Sequence, residues 1–224
     1  MIPIRDQIPT RRVPVVNYIL IAANILVFIL QWLSGSGQEA FVYQFALIPA
    51  NFVSSVDLGD ITDIFTSMFM HAGIAHIAGN MLYLWIFGDN VEDSMGSAKY
   101  LAFYLFGGFV ASLTHVLTNP GSQIPTVGAS GAIAAVLGAY LVLYPQSRVL
   151  TIIPLGFFMR MTMVPASIVL VLWFVLQLFS GVLSLGGPDV GGTAFWAHIG
   201  GFVAGVVLGK LLAPTRRQEY VVRY

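Results

Sequence analysis

Apolar runs about as long as a membrane crossing recur along this chain, and the stretches between them collect its charges. Six candidate spans follow, at residues 15–33, 74–88, 98–117, 130–144, 163–183 and 195–212. The pattern predicts an all-α polytopic membrane protein; a membrane β-barrel would show short alternating segments instead. Residues 34–73 mix apolar and turn-forming positions, as in "FALIPANF", and are expected to lie in the membrane interface after helix 1 rather than to cross. The fourth span is short, covering about 22 Å as a helix. The segment before it, "TNPGSQIPTVGA", cannot be helical throughout. It must therefore dip into the membrane, where irregular backbone has to be buried in protein or line a cavity.

Composition agrees with the pattern. The chain is 57% hydrophobic and only 9% charged, a balance that excludes an ordinary soluble domain. Its formal net charge is zero, so nothing suggests a nucleic-acid partner. The absence of cysteine excludes disulfides, thiolate catalysis and Cys-ligated metals. No cleavable leader is evident, so the first span is expected to remain as an anchor.

The placement of charge tests the six-span count. Arg5, Arg11, Arg12, Lys99, Arg148, Arg160, Lys210, Arg216, Arg217 and Arg223 all fall on one side of such a bundle. The other side carries only acids: Glu39, Asp57, Asp60, Asp63 and Asp189. The positive-inside rule makes the basic side cytoplasmic. The expected organisation is a cytoplasmic segment at 1–14, a six-helix domain at 15–213 and a cytoplasmic tail at 214–224, in the cell membrane. Asp89, Glu92 and Asp93 are expected in a solvated inner turn and helix cap. Trp32 and Trp196 fit an interfacial belt, and His71 and His115 read as interfacial or structural.

Polar groups inside spans are costly and usually functional. His76 and Asn80 lie in the second span, Ser130 in the fourth and His198 in the sixth. Measured from the inner end of each span, His76, Ser130 and His198 sit about 20, 22 and 18 Å up. All three therefore reach one level, roughly 10 Å below the outer surface. Gly201, Gly205 and Gly209 form a smooth stripe on the face that carries His198. Gly131, Ala135 and Ala139 give the fourth span a matching face, and small faces let helix backbones touch in lipid. That contact would bring Ser130 and His198 together as nucleophile and general base. The fourth and sixth spans hold no acid, so a Ser–His dyad is expected rather than a triad. His76 and Asn80 share a face and can donate to an oxyanion, as can the free amide of Ser130 at its helix start.

At these residues the sequence resembles the rhomboid family of intramembrane serine proteases. The likeness rests on "HAGIAHIAGN" at 71–80, "GASG" at 128–131 (with Gly128) and "AHIGGFVAG" at 197–205. It implies a six-helix core, Ser130 as nucleophile, His198 as base, and His76, Asn80 and the Ser130 amide at the oxyanion. It also implies cleavage of single-span membrane proteins near the outer face, with membrane lipid as surroundings and no metal or other cofactor. Many relatives carry an aromatic four residues after the serine, stacked on the histidine; here Ala134 stands there. The orientation of His198 is therefore expected from glycine packing. The Trp-Arg pair of one branch is absent from 34–73. The glycines of "SLGGPDVGG" at 184–192 suggest a mobile cap over the cavity.

Other readings fit less well. A metalloprotease needs ligands, but "HAGIAH" lacks the HExxH pattern. A transporter would be expected to show repeated halves or broken helices. A catalytically inactive relative that only binds membrane proteins would lose the serine or the histidine, and this chain keeps both.

Overall fold

In the computed structural model, residues 1–54, 57–156, 158–185 and 192–212 are described. The chain starts with strand β1 (Ile2–Asp6) and helix α1 (Val15–Leu33). Three short helices follow: α2 (Gln38–Phe45), α3 (Pro49–Ser54) and α4 (Leu58–Thr66). Then come α5 (Ile74–Met95), α6 (Ser97–Thr118) and α7 (Ser130–Leu143). Strands β2 (Arg148–Leu155) and β3 (Phe158–Pro165) lead into α8 (Ala166–Ser184) and α9 (Phe195–Leu212). Among the described residues four helices, α1, α6, α8 and α9, are long and apolar enough to cross a membrane. α7 is a shorter apolar helix, and the end of α5 carries Asp89, Glu92 and Asp93.

α7 is the centre of the bundle. It is apolar on every side, and Gly131 to Tyr140 are all buried, as expected of a helix enclosed by others. α1 and α8 instead leave apolar faces exposed, among them Ile19, Leu26, Val175 and Phe179. Such faces suit lipid rather than water. α7 packs against α9 without intervening side chains. A Cβ at Gly201 would meet the carbonyl oxygen of Gly131, one at Gly205 that of Ala135, and one at Gly138 that of Phe202. The expected small-residue contact between these helices is present.

Three expectations are corrected. First, the fifth apolar helix starts at Ala166, not at 163. Met163 and Val164 pair with Leu150 and Val149 in an antiparallel sheet of order β1-β2-β3. "FMRMTMVP" alternates apolar and polar over 159–163, a strand signal, while "RVLTIIPL" sets apolar residues at successive positions, and the two strands find their partners by chain pairing rather than by helical packing. Second, the segment at 1–14, for which no packing was expected, is tied to the bundle at its start. Ile2 pairs with Ile152, and the Asp6 carboxylate accepts from Tyr140 (2.6 Å) and from the Asn90 amide (2.9 Å). Burial pushes Asp6 up to about 6, against the lowering effect of the Tyr140 hydrogen bond.

Third, Asp89, Glu92 and Asp93 do not form a solvated turn. They continue α5, and Glu92 is only 2% exposed. Its carboxylate accepts from the backbone N–H groups of Val16 (3.1 Å) and Asn17 (2.7 Å) and from the Ser97 hydroxyl (2.6 Å). It therefore caps the start of α1, where unpaired N–H groups and the helix dipole favour an anion. Asn17 extends the junction by donating to the Leu84 carbonyl (3.1 Å) and accepting from Tyr100 (2.8 Å). Glu92→Ala is expected to lower stability by about 2–3 kcal/mol, since a cap and a buried hydrogen-bond acceptor are lost together. Thermal unfolding in detergent measures this; a melt matching wild type would contradict it.

Candidate active site

The segment before α7 is irregular and pinned. Leu47 and Thr126 exchange backbone hydrogen bonds (3.3 and 2.8 Å), and the Gly128 N–H donates to the Ser67 carbonyl (2.9 Å). Gly128 has φ +131°, a conformation that side chains disfavour. A Cβ there would also lie 2.8 Å from Nε2 of His76 and 3.6 Å from the Ser130 hydroxyl. The His76 ring and Ser130 thus border one point, and only glycine leaves it open. A cavity of about 30 Å³, room for roughly one water, is bordered by Ser67, Gly128, Ser130, Gly131 and Ala194.

Ser130 is the first residue of α7, so its amide falls among those with no partner inside the helix. Its hydroxyl lies 2.7 Å from Nε2 of His198, on α9. His198 is 7% exposed. The two side chains meet because α7 and α9 touch backbone to backbone at Gly131, one residue after Ser130, and Gly201, one helical turn after His198. In this geometry the imidazole can take the hydroxyl proton directly.

His76 accepts the Ala72 N–H at Nδ1 (3.3 Å). That bond leaves the ring proton on Nε2, the atom beside Gly128. One turn further along α5, Asn80 is buried and its Nδ2 has no hydrogen-bond partner among the described residues. An unused buried donor is costly unless something occupies it at work. His71 is fully buried, its ring edge-on to His76 at 5.0 Å, and Gln31 holds its backbone at both N–H and carbonyl. Its two ring nitrogens have no hydrogen-bond partner among the described residues. His115 lies near the end of α6, with Asn119 3.3 Å away.

Two partners of His198 were not anticipated. Nδ1 of His198 lies 2.7 Å from Oε1 of Gln177 on α8. The Trp173 ring, one turn earlier on the same helix, lies 5.7 Å from the imidazole at 34°. Glycine packing was the expected source of the His198 orientation, and α8 adds these two contacts to it. The aromatic missing at Ala134 comes from a different helix. The signal was in the sequence: Gln177 is the single amide side chain of a span whose other polar residues are serines. Most of the expected cap, residues 186–191, and the tail at 214–224 lie outside the described residues.

Residues 58–215 match the family model described as Rhomboid domain. The chain belongs to the rhomboid family. Among curated relatives, "Rhomboid protease GluP" of Bacillus subtilis is 34% identical over 135 residues, 60% of this chain and 26% of that protein. "Presenilin-associated rhomboid-like protein, mitochondrial" of Homo sapiens is 33% identical over 131 residues, 58% of this chain and 33% of its own length. "RHOMBOID-like protein 5" of Arabidopsis thaliana is 31% identical over 166 residues, 74% of this chain and 48% of its own. The matched part thus spans about a quarter to a half of these rhomboid relatives. All of Ser130, His198, His76 and Asn80 fall inside the matched rhomboid region.

Proposed function

We propose that this rhomboid is an intramembrane serine endopeptidase that cleaves single-span membrane proteins near the outer membrane face. The observation that carries the reading is the 2.7 Å contact between the Ser130 hydroxyl and His198 Nε2, at the half-buried start of α7. Ser130 Oγ attacks the scissile carbonyl carbon as its proton passes to His198 Nε2. The carbonyl oxygen takes up the negative charge and receives hydrogen bonds from His76 Nε2, Asn80 Nδ2 and the Ser130 amide. His198 then gives the proton to the leaving amine, leaving an acyl-enzyme at Ser130 that water hydrolyses by the same route.

On this reading six helices cross: α5 and α7 join the four long apolar ones, and α7 is completed by the pinned loop before it. Helices α2 to α4 lie along the outer interface, and both termini face the cytoplasm. The membrane is the cell membrane and the partners are transmembrane substrates and lipid. Wild-type protein in proteoliposomes with a single-span substrate tests this. Products cut within or at the edge of the substrate span support it; cuts confined to soluble regions, or none, oppose it.

The oxyanion assignment has its own consequence. Asn80→Ala is expected to slow turnover by about 10²–10³-fold, the usual cost of one such donor. Its melting temperature should barely change, because the lost amide nitrogen has no partner among the described residues of the resting protein. Unchanged turnover would make Asn80 a packing residue.

A further inference from the structure

We infer that Gln177 is a positioning residue of this site, accepting the Nδ1–H of His198 and thereby fixing the tautomer whose Nε2 lone pair faces Ser130. The inference rests on the Ser130–His198 reading above. Helices α7, α8 and α9 contain no aspartate or glutamate, so the place an acid fills in a serine triad has no carboxylate candidate on them. Oε1 of Gln177 occupies it, 2.7 Å from Nδ1, while Nε2 lies 2.7 Å from the Ser130 hydroxyl.

These two contacts determine each other. A neutral imidazole has one N–H and one lone pair. If Nε2 is to receive the serine proton, Nδ1 must carry the hydrogen and needs an acceptor. The carbonyl end of the amide is that acceptor. Were the NH₂ end turned to Nδ1, the ring proton would move to Nε2 and the base would be lost. Trp173 stands four residues before Gln177 and so on the same face of α8, and its ring packs beside the imidazole. Gly181, four residues after, lets that face approach α9: a Cβ there would come within 3.1 Å of Ile199 and 3.5 Å of Phe195. α8 therefore holds His198 by one hydrogen bond and one ring contact.

An amide orients the ring but adds no charge beside it. In an apolar span that avoids burying a carboxylate. It also means that the imidazolium formed during the reaction has no anion from α8. Among the described residues, the other titratable groups that act electrostatically on His198 are His76 of α5 and His115 of α6, neither of which supplies negative charge.

The test compares wild type, Gln177→Leu, Gln177→Glu and Ser130→Ala on one single-span substrate, with kcat, KM and the pH profile measured for folded enzyme. Gln177→Leu is expected to lower kcat by about ten- to hundredfold, as misoriented catalytic groups do, with KM within about twofold of wild type. Gln177→Glu is expected to keep activity but to move the acidic limb of the profile to higher pH by about one unit or more, because an adjacent carboxylate favours the protonated ring. An unmoved acidic limb in Gln177→Glu overturns the assignment, as does wild-type kcat in Gln177→Leu. Activity persisting in Ser130→Ala would be a separate failure, that of the site itself.

Discussion

Ser130→Ala is expected to reduce cleavage of a reconstituted single-span substrate to background, a loss on the order of 10⁶-fold by comparison with soluble Ser–His enzymes. His198→Ala should fall nearly as far. The reason is that the hydroxyl is a weak nucleophile until a base removes its proton, and the base is 2.7 Å away. Because the two side chains act as one unit, their effects should not add. The double variant Ser130→Ala, His198→Ala is expected to be no slower than Ser130→Ala alone. Each of these side chains is replaced by a smaller apolar one, so insertion and folding should survive. Melting curves for each variant separate lost chemistry from lost structure. Several per cent of wild-type turnover in well-folded Ser130→Ala would mean that another residue attacks the substrate.

Gly201→Val is expected to cost on the order of a hundredfold in turnover without touching either of those side chains, the scale of loss for a misplacement of about 1 Å. A Cβ at Gly201 would collide with the carbonyl oxygen of Gly131, which is backbone and cannot rotate away. Gly131 follows Ser130, so pushing it displaces the first turn of α7. The same Cβ would lie 3.3 Å from the Ala111 side chain, which closes the sideways escape toward α6. Val207→Leu is the control, since Val207 lies on the exposed face of α9 and is 51% exposed. Gly201→Ala should fall between them. Equal turnover of Gly201→Val and the control would mean that close helix contact does not set the distance between Ser130 and His198.

Much of this site was legible because its physics is local and periodic. A helix rise converts sequence spacing into depth, and the three residues it puts at one expected level, His76, Ser130 and His198, lie near one point of the fold. Glycines repeating every four residues predicted a close helix contact, and the contact with α7 is made at Gly201 and Gly205. What stayed hidden depends on partners far along the chain. Glu92 looked solvated because it is an acid near the end of an apolar run. Its partners are the N–H groups at the start of α1, more than seventy residues earlier. The sheet was missed for the same reason: Ile2 pairs with Ile152, and nothing local in "RVLTIIPL" announces that register. Gln177 is legible in the sequence only as an amide in a membrane span, commonly a bond between helices. Here it is that too, but the group it bonds is His198. Ala134 shows the limit of reading a site by family position, since the aromatic contact to the histidine exists and reaches it from Trp173.

The central claim is that Ser130 is a nucleophile activated by His198. A fluorophosphonate probe reacts with activated serines and reports this without any need to know the substrate. Purified protein in detergent is treated with the probe, digested, and the modified residue located by mass spectrometry. The account predicts one labelled residue, Ser130, with labelling abolished in Ser130→Ala and sharply reduced in His198→Ala. Labelling that persists in Ser130→Ala, or folded wild-type protein that takes up no probe at Ser130, would contradict it.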